Sequence, residues 1–125
     1  MKYINTPKAP AAIGPYSQAV VNNNLIYTSG QIAIDPSSGE LLNGTVEEET
    51  HLVMKNLNAI LKDAGTDFSK VIKSTIFLKD MDDFATVNKV YGSYLNEMNL
   101  PARETVQVAK LPKDVKVEIS MIAVI

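Results

Sequence analysis

The most regular hydrophobic pattern in this chain is helical. Between positions 46 and 64, apolar side chains recur every three or four residues, which places them along one stripe of a helix. Thr45 and Glu48 have the spacing of a capping box, in which two side chains accept the first backbone N–H groups of a helix. Gly65 supplies a helix end, because glycine readily adopts the left-handed conformation found there. The pattern therefore predicts a first helix between Thr45 and Gly65.

A second apolar stripe occupies positions 84–98 and predicts a second helix. Either Asp80 or Asp82 can cap its beginning. Pro101 prevents the helix from continuing, because proline lacks a backbone N–H and clashes with the preceding turn.

The remaining apolar segments are short and rich in β-branched or aromatic residues, which is typical of strands. The Asn22-Asn23-Asn24 run joins the first two as a hairpin, because asparagine tolerates turn conformations. The predicted extended segments are residues 17–21, 25–29, 31–34, 71–78, 104–109 and 115–124. The element order is therefore β-β-β-α-β-α-β-β. Right-handed crossovers would place both helices on one face of a single mixed sheet, which makes an α+β fold.

The last predicted strand is apolar on both of its faces. Val117, Ile119 and Met121 point one way, while Ile122 and Val124 point the other way. Two helices cover only one face of the sheet, so a monomer would leave the second apolar face in water. Self-association through this open face is the interpretation we favour, and coverage by loops is the alternative.

Length and charge narrow the possible functions. The 125 residues suit one domain spanning 1–125, and 46% hydrophobic content supplies a core. A net charge of −2 with scattered lysines argues against nucleic-acid binding. The N-terminus has no apolar run of signal-peptide length, and no segment is long enough to span a membrane, so we expect a cytoplasmic protein with no membrane partner.

The chain contains no cysteine and one histidine, His51. Thiol catalysis and cysteine metal sites are excluded, and neither a zinc site nor a Ser–His–Asp triad has support. No nucleotide-binding glycine motif is present. We therefore expect neither a metal nor a cofactor.

Arg103 and Thr105 are the first candidate pair for ligand binding. Two residues apart on a strand, they share one face at about 7 Å, so a guanidinium and a hydroxyl can reach one small ligand. Arginine suits planar, bidentate binding of a carboxylate. The alternative for Arg103 is an ordinary surface salt bridge.

Glu118 is the candidate acid or base, because apolar residues flank it on the last strand and burial would raise its pKa. A solvated edge-strand carboxylate is the alternative. Ser29 and Gly30 end a strand where glycine lets a ligand approach the backbone. Tyr16 places a phenol at a turn, and Asn88 lies on the second helix, where a solvent-facing amide is the default interpretation.

Several segments, in this order and spacing, carry a resemblance to a known family. They are Gly14-Pro15-Tyr16-Ser17-Gln18-Ala19, Thr28-Ser29-Gly30-Gln31-Ile32, Asp83-Phe84-Ala85-Thr86-Val87-Asn88, Pro101-Ala102-Arg103, Leu111-Pro112-Lys113-Asp114-Val115 and Val117-Glu118-Ile119. With them the chain resembles the Rid family, also called the YjgF family, over nearly its whole length. It looks most similar to the RidA subgroup of enamine and imine deaminases.

The resemblance implies a chorismate-mutase-like fold and a homotrimer with sites in the clefts between subunits. The implied reaction is cofactor-independent hydrolysis of 2-iminobutanoate and 2-iminopropanoate to 2-oxo acids and ammonia. In the implied site, Arg103 grips the substrate carboxylate and Glu118 activates water. Gly30, with Ser29 beside it, offers backbone groups near the imine, while Tyr16 lines the cleft and assists proton transfer. Asn88 is implied as a further cleft residue.

Two positions depart from the family pattern. RidA-type members often have cysteine where this chain has Thr105, and Glu-Ile-Glu where it has Glu118-Ile119-Ser120. The first carboxylate remains, which keeps the hydrolase interpretation. The alternatives are a non-catalytic trimer that binds 2-oxo acids or has a regulatory role, and an RNA-cleaving translation inhibitor. The net charge and the lack of basic patches argue against the last of these.

Overall fold

The computed structural model describes residues 1–125 as two helices packed on one six-stranded sheet. The strands are β1 (Lys2–Ile4), β2 (Ala19–Asn22), β3 (Leu25–Thr28), β4 (Val71–Leu78), β5 (Ala102–Gln107) and β6 (Val117–Val124). The helices are α1 (Val46–Asp63) and α2 (Phe84–Ser93), and single 3-10 turns lie at Phe68–Lys70, Met81–Asp83 and Pro112–Asp114. The strand order is β1-β2-β3-β6-β4-β5, and only β4 and β5 pair in parallel. The predicted α+β class with one mixed sheet is confirmed.

The local signals around α1 are confirmed in detail. Thr45 Oγ1 accepts the N–H of Glu48 at 3.1 Å, and Glu48 Oε1 accepts the N–H of Thr45 at 2.9 Å. Gly65 follows the helix with a φ of +84°, which side chains other than glycine rarely adopt. In the β2–β3 hairpin, Asn23 and Asn24 both have positive φ, as a tight two-residue turn requires.

The predicted strand at residues 31–34 is wrong. Gln31 makes only an isolated bridge to Ile119, and Ile34 bridges Leu41. The eighth element comes instead from β1, whose three residues pair with β2. Only one of the three, Ile4, is buried, and so short a segment shows no alternation that sequence analysis could detect.

The end of the second helix was also predicted wrongly. The helix ends at Ser93 rather than position 98, and Met98 is 85% exposed instead of facing the core. The side chain of Asn96 accepts the N–H of Met98 at 2.9 Å, a local bond that competes with helical hydrogen bonding. β5 and β6 likewise begin at Ala102 and Val117, two residues away from the predicted starts.

The core lies between the helices and one face of the sheet. It contains Leu57 and Ile60 from α1, Val87 from α2, Ile76 from β4 and Ile119 from β6, each at most 1% exposed. Burying each such side chain contributes about 1.5–3 kcal/mol to folding. Neither helix is long and apolar enough to cross a bilayer.

The other face of the sheet has no helix over it. Along β6, burial alternates strictly, so Ile122 and Val124 face this open side and are only partly buried. Tyr27 on β3 is 44% exposed and Val106 on β5 is 43% exposed. The predicted apolar open face is therefore present in the single chain.

Candidate active site

Four of the predicted site residues line one cleft of about 650 Å³: Tyr16, Ser29, Gly30 and Glu118. The other lining residues are Pro10, Ala11, Ile13, Gln18, Gln31, Ile32, Ile34, Pro112 and Lys113. The cleft thus combines a largely apolar wall with one carboxylate, one phenol and one ammonium group. That mixture is typical of small-molecule sites.

The position of Glu118 depends on the absence of a side chain at Gly30. A β-carbon on Gly30 would lie 2.6 Å from Cδ of Glu118, closer than any real contact. Gly30 is held there because Gln31 and Ile119 exchange both backbone hydrogen bonds, at 2.8 and 3.1 Å. Gln31, in the segment wrongly predicted as a strand, therefore holds Gly30 against the Glu118 carboxylate through its backbone hydrogen bonds to Ile119.

Glu118 has the environment of a proton-transfer group. It lies on the open side of β6, opposite Phe77, and is half-buried. Burial raises the pKa of its carboxyl group above the usual value, and no hydrogen bond or cation opposes that effect. A carboxylate in this state accepts a proton more readily than an exposed one.

Ser29 and Tyr16 occupy the cleft in different ways. The Ser29 hydroxyl donates to the carbonyl of Ser17 at 2.6 Å, and the Ser29 N–H donates to the carbonyl of Gln18 at 2.9 Å. Ser29 therefore holds the two residues that precede β2, Ser17 and Gln18, through their carbonyl groups. Tyr16 is 53% exposed, and its N–H donates to the carbonyl of Gly14 at 2.9 Å. Its phenol remains available at the mouth of the cleft.

Arg103 lies elsewhere, on the edge strand β5 beneath α2. Its Nη1 donates to Oδ1 of Asn88 at 2.6 Å. Its Cζ lies 5.6 Å from the ring centre of Phe84 and 5.4 Å from that of Tyr91, both cation–π distances. Asn88 therefore faces the arginine rather than solvent.

The alternative interpretation of Arg103 as a surface salt bridge is wrong, because all three salt bridges of the chain involve lysine. The guanidinium, the only one in the sequence, keeps donors free for an external anion. It lines a second, smaller cavity of about 370 Å³ together with Tyr91, Leu100 and Pro101.

Thr105 lies on the same face of β5 as Arg103, as predicted from the strand period. Its hydroxyl oxygen is buried and has no hydrogen-bond partner within the chain. An unsatisfied buried hydroxyl costs about 1–3 kcal/mol, so a ligand or another chain that bonded it would recover that free energy.

Within one chain, the Arg103 and Glu118 sites face opposite sides of the sheet. Ser74 pairs with both Arg103 and Met121, which places all three on the helix side. Glu118 pairs with Phe77 on the open side, three residues along β6 from Met121. Two strand spacings and three residues separate the two Cα atoms by about 14 Å. A ligand of four carbons cannot touch both groups in a single copy.

Three residues that shape these sites, Phe84, Tyr91 and Lys113, are not among the predicted site residues. Phe84 and Tyr91 flank Asn88 at helical spacing, so the three share one face of α2, and this pattern was a usable signal. Lys113 lines the cleft with a left-handed backbone, φ 55°, in the turn after Pro112, and the family segment from Leu111 to Val115 was a usable signal for it.

The fold and the cleft together define the class of protein. The sequence pattern of the family described as Endoribonuclease L-PSP matches residues 6–125, and the chain belongs to that family, the Rid or YjgF family that it resembles. The crystal structure of the YjgF gene product from E. coli superimposes with a TM-score of 0.93 at 48% identity, covering 99% of this chain and 98% of that one.

Two further relatives bear on the site. The 2-iminobutanoate/2-iminopropanoate deaminase of Mus musculus is 56% identical over 123 residues, which is 98% of this chain and 90% of the mouse protein. A crystal structure of E. coli TdcF with bound serine has a TM-score of 0.93 at 43% identity, and the match covers 100% of this chain and 99% of that one.

Proposed function

We propose that this protein hydrolyses 2-imino acids and their enamine tautomers, 2-iminobutanoate and 2-iminopropanoate among them, to 2-oxo acids and ammonia without a cofactor. The observation that carries the proposal is the half-buried Glu118 carboxylate, whose pKa is raised and which lies against Gly30 in the cleft. The mouse relative that is named a deaminase for these two imino acids supports the choice of substrate.

In the proposed reaction, Glu118 takes a proton from water as the water oxygen bonds to the imine carbon. The C=N bond becomes a C–N bond, and Glu118 returns its proton to the nitrogen, which gives a neutral carbinolamine. The hydroxyl proton is then transferred to the amino nitrogen as the C–N bond breaks and the C–O bond becomes C=O, so that the nitrogen leaves as ammonia and Glu118 is again a carboxylate. Tyr16 lies where a phenol can relay these protons. Imines hydrolyse unaided, so positioning and one base are sufficient catalysis.

Arg103 is the proposed anchor for the substrate carboxylate, with the Thr105 hydroxyl beside it and Asn88 holding the guanidinium. Because one copy holds Arg103 and Glu118 on opposite sides of its sheet, the complete site is proposed to form between copies of a homotrimer. The apolar open face supports association, since Ile122, Val124 and Tyr27 would leave water there. TdcF with bound serine supports a small amino-acid-like ligand.

The test is a coupled assay in which a threonine dehydratase releases 2-iminobutanoate and 2-oxobutanoate formation is followed above the uncatalysed rate. Wild-type protein should accelerate the formation of 2-oxobutanoate. Arg103→Ala should lower kcat/KM about 100-fold, because a bidentate charge-assisted contact is lost. Lys62→Ala removes an exposed cation on α1 that lines neither the cleft nor the Arg103 cavity, and it serves as the control.

Equal rates for wild type and Arg103→Ala would remove Arg103 from the site. Saturable binding of 2-oxobutanoate without any acceleration would replace the enzyme with a non-catalytic binding or regulatory trimer. RNA cleavage that persists on exhaustive purification and disappears in Glu118→Ala would favour the activity for which the family is described.

A further inference from the structure

Gln18 is a buried polar residue that the proposed chemistry leaves unused. It is 2% exposed and directly precedes β2, and its amide is hydrogen-bonded through both the oxygen and the nitrogen. Oε1 accepts the N–H of Thr6 at 2.7 Å, and Nε2 donates to the carbonyl of Thr6 at 3.0 Å and to that of Pro10 at 2.9 Å. One side chain thus fixes both ends of the segment from Thr6 to Pro10.

Apart from the packing of Ala9 in the core and a bond from the Lys8 N–H to Thr6 Oγ1 at 3.2 Å, few contacts hold this segment. It contains no strand or helix, and its one internal backbone hydrogen bond, from Ala9 to Thr6, is long at 3.5 Å. Such a segment keeps its shape only through side-chain bonds or packing, since backbone order costs about 1–2 kcal/mol per residue in entropy. Gln18 supplies most of those bonds.

The segment leads directly into the cleft. Pro10, Ala11, Ile13 and Tyr16, here called the N-terminal wall, line the same cleft as Gly30, Glu118 and Gln18 itself. The carbonyl that Gln18 holds at 2.9 Å belongs to Pro10, the first residue of the wall. The position of the wall is therefore tied to the Gln18 amide.

We propose that Gln18 is a positioning residue that sets the width of the cleft, by holding the N-terminal wall at a fixed distance from Glu118. The inference rests on the proposed function, since it assigns Gln18 to the binding of the same substrate. Gln18 acts through the wall and takes no part in proton transfer. Its loss should weaken substrate binding more than it slows the chemical step.

Only a carboxamide satisfies this arrangement. Thr6 offers both a donor and an acceptor, and Pro10 offers an acceptor, so the side chain must accept once and donate twice. Glutamate has the same shape but no donor when ionised, and its charge would face three carbonyl oxygens, those of Thr6, Ala9 and Pro10. Gln18→Glu therefore removes the clamp with almost no change in volume.

The decisive comparison is between Gln18→Glu and Thr66→Val. Thr66 is 6% exposed, and its Oγ1 donates to the carbonyl of Val124 at 2.6 Å, so it is also a buried side chain bonded to backbone but lies outside the cleft. Gln18→Glu should raise the KM for 2-iminobutanoate about tenfold, with kcat within about twofold. The substrate would then have to order the N-terminal wall as it binds, which costs roughly 1.4 kcal/mol of binding free energy. Thr66→Val should change neither constant.

Should Gln18→Glu fail to fold, Gln18→Met provides the same test without a buried charge and should shift KM in the same direction. KM values for the Gln18 variants that equal those of wild type and Thr66→Val would overturn the proposal. So would a fall in kcat with KM unchanged.

A second readout does not depend on activity. The bond after Lys8 lies in the segment that Gln18 holds, so trypsin should cut there at least about tenfold faster in Gln18→Glu than in wild type or Thr66→Val. 2-Oxobutanoate should slow that cut in wild type only. Equal cutting in all three proteins would overturn the proposal. Faster cutting of Gln18→Glu, combined with a wild-type protein that shows no activity in the imine assay, would refute the proposed function alone.

Discussion

The carboxylate at Glu118 and the guanidinium at Arg103 are held in opposite ways. Glu118 lies on β6, an interior strand, against a glycine backbone and without any polar partner. Arg103 lies on β5, an edge strand, and side chains of α2 orient it through one hydrogen bond and two aromatic rings. The difference suits the two proposed roles, Glu118 as proton acceptor and Arg103 as anion anchor. A proton acceptor gains basicity from desolvation, whereas an anion anchor must keep its charge, its direction and its access to solvent.

The comparison is tested most strongly by separating the two groups onto different chains. Arg103→Ala and Glu118→Ala should each lose about 100-fold or more in kcat/KM. In the proposed homotrimer, refolding equal amounts of both variants together should recover about a quarter of wild-type activity, because one interface in four pairs an intact arginine with an intact carboxylate.

Activity of the mixture that stays at the level of the single variants would place both groups of the site in one copy. Mixing each variant with itself under the same refolding conditions is the control.

Adding one methyl group at Gly30 should come next in effect. The new β-carbon would lie 2.6 Å from Cδ of Glu118 and must displace the carboxylate. Gly30→Ala should lower kcat about 30- to 100-fold while 2-oxobutanoate binding changes little, because the Arg103 side is untouched. Gly92→Ala, where a β-carbon meets nothing, is the matched control. Full activity in Gly30→Ala would show that the close approach is irrelevant to catalysis.

On the Arg103 side, Thr105→Val should separate stability from binding. The variant removes a buried hydroxyl that has no partner in the chain, so the free energy of unfolding should stay equal or rise by up to about 1 kcal/mol. KM should nevertheless increase about fivefold, since the substrate loses a hydrogen bond. Thermal unfolding and initial rates measure the two effects, and an unchanged KM would exclude Thr105 from binding.

The smallest expected effect is the pH dependence of stability. The pKa of Glu118 is raised in the folded state above its usual 4.5, so the folded protein binds this proton more tightly than the unfolded chain. Glu118 therefore costs no stability below pH 4.5, and the cost grows as pH rises through the folded-state pKa. The Tm of Glu118→Gln should equal that of wild type near pH 4 and exceed it by about 1–2 °C at pH 8. The gain is modest because water screens the charge of a half-buried group.

Glu104→Gln should behave in the opposite way. A hydrogen bond and ion pair from Lys73 lower the pKa of Glu104, so its carboxylate stabilises the folded state at neutral pH. That variant should lose stability at pH 8 and match wild type only at acid pH. Equal pH profiles for both variants would contradict the assigned environments.

Local signals predicted the elements that depend on neighbouring residues. The Thr45–Glu48 capping box, the Gly65 helix end and the paired asparagines of the hairpin all act within a few residues, and all three are confirmed. The failures occur where a distant partner decides. Residues 31–34 look extended, but whether they join the sheet depends on β6, which accepts only one bridge at Gln31.

The candidate residues were predicted from family motifs and from the strand period. The strand period, for example, placed Arg103 and Thr105 on one face of β5. Their surroundings could not be found in this way. Nothing near Arg103 in sequence indicates that Asn88 would bond it, and nothing near Glu118 indicates that Gly30 would touch it. Both contacts join residues at least 15 positions apart, so they depend on packing between elements.

By itself, the sequence determined the α+β class, both helices, five of the six strands, the apolar face without a helix and the identity of the charged groups, because these follow from periodicity and side-chain chemistry. Only the tertiary structure decided that Glu118 is desolvated, that Arg103 is free of salt bridges and that the two lie on opposite sides of one sheet. The physical reason is that burial, pKa and mutual distance belong to the arrangement of strands in space. The order β6-β4-β5, which no local pattern reports, places the acid and the arginine where a single chain cannot bring them together.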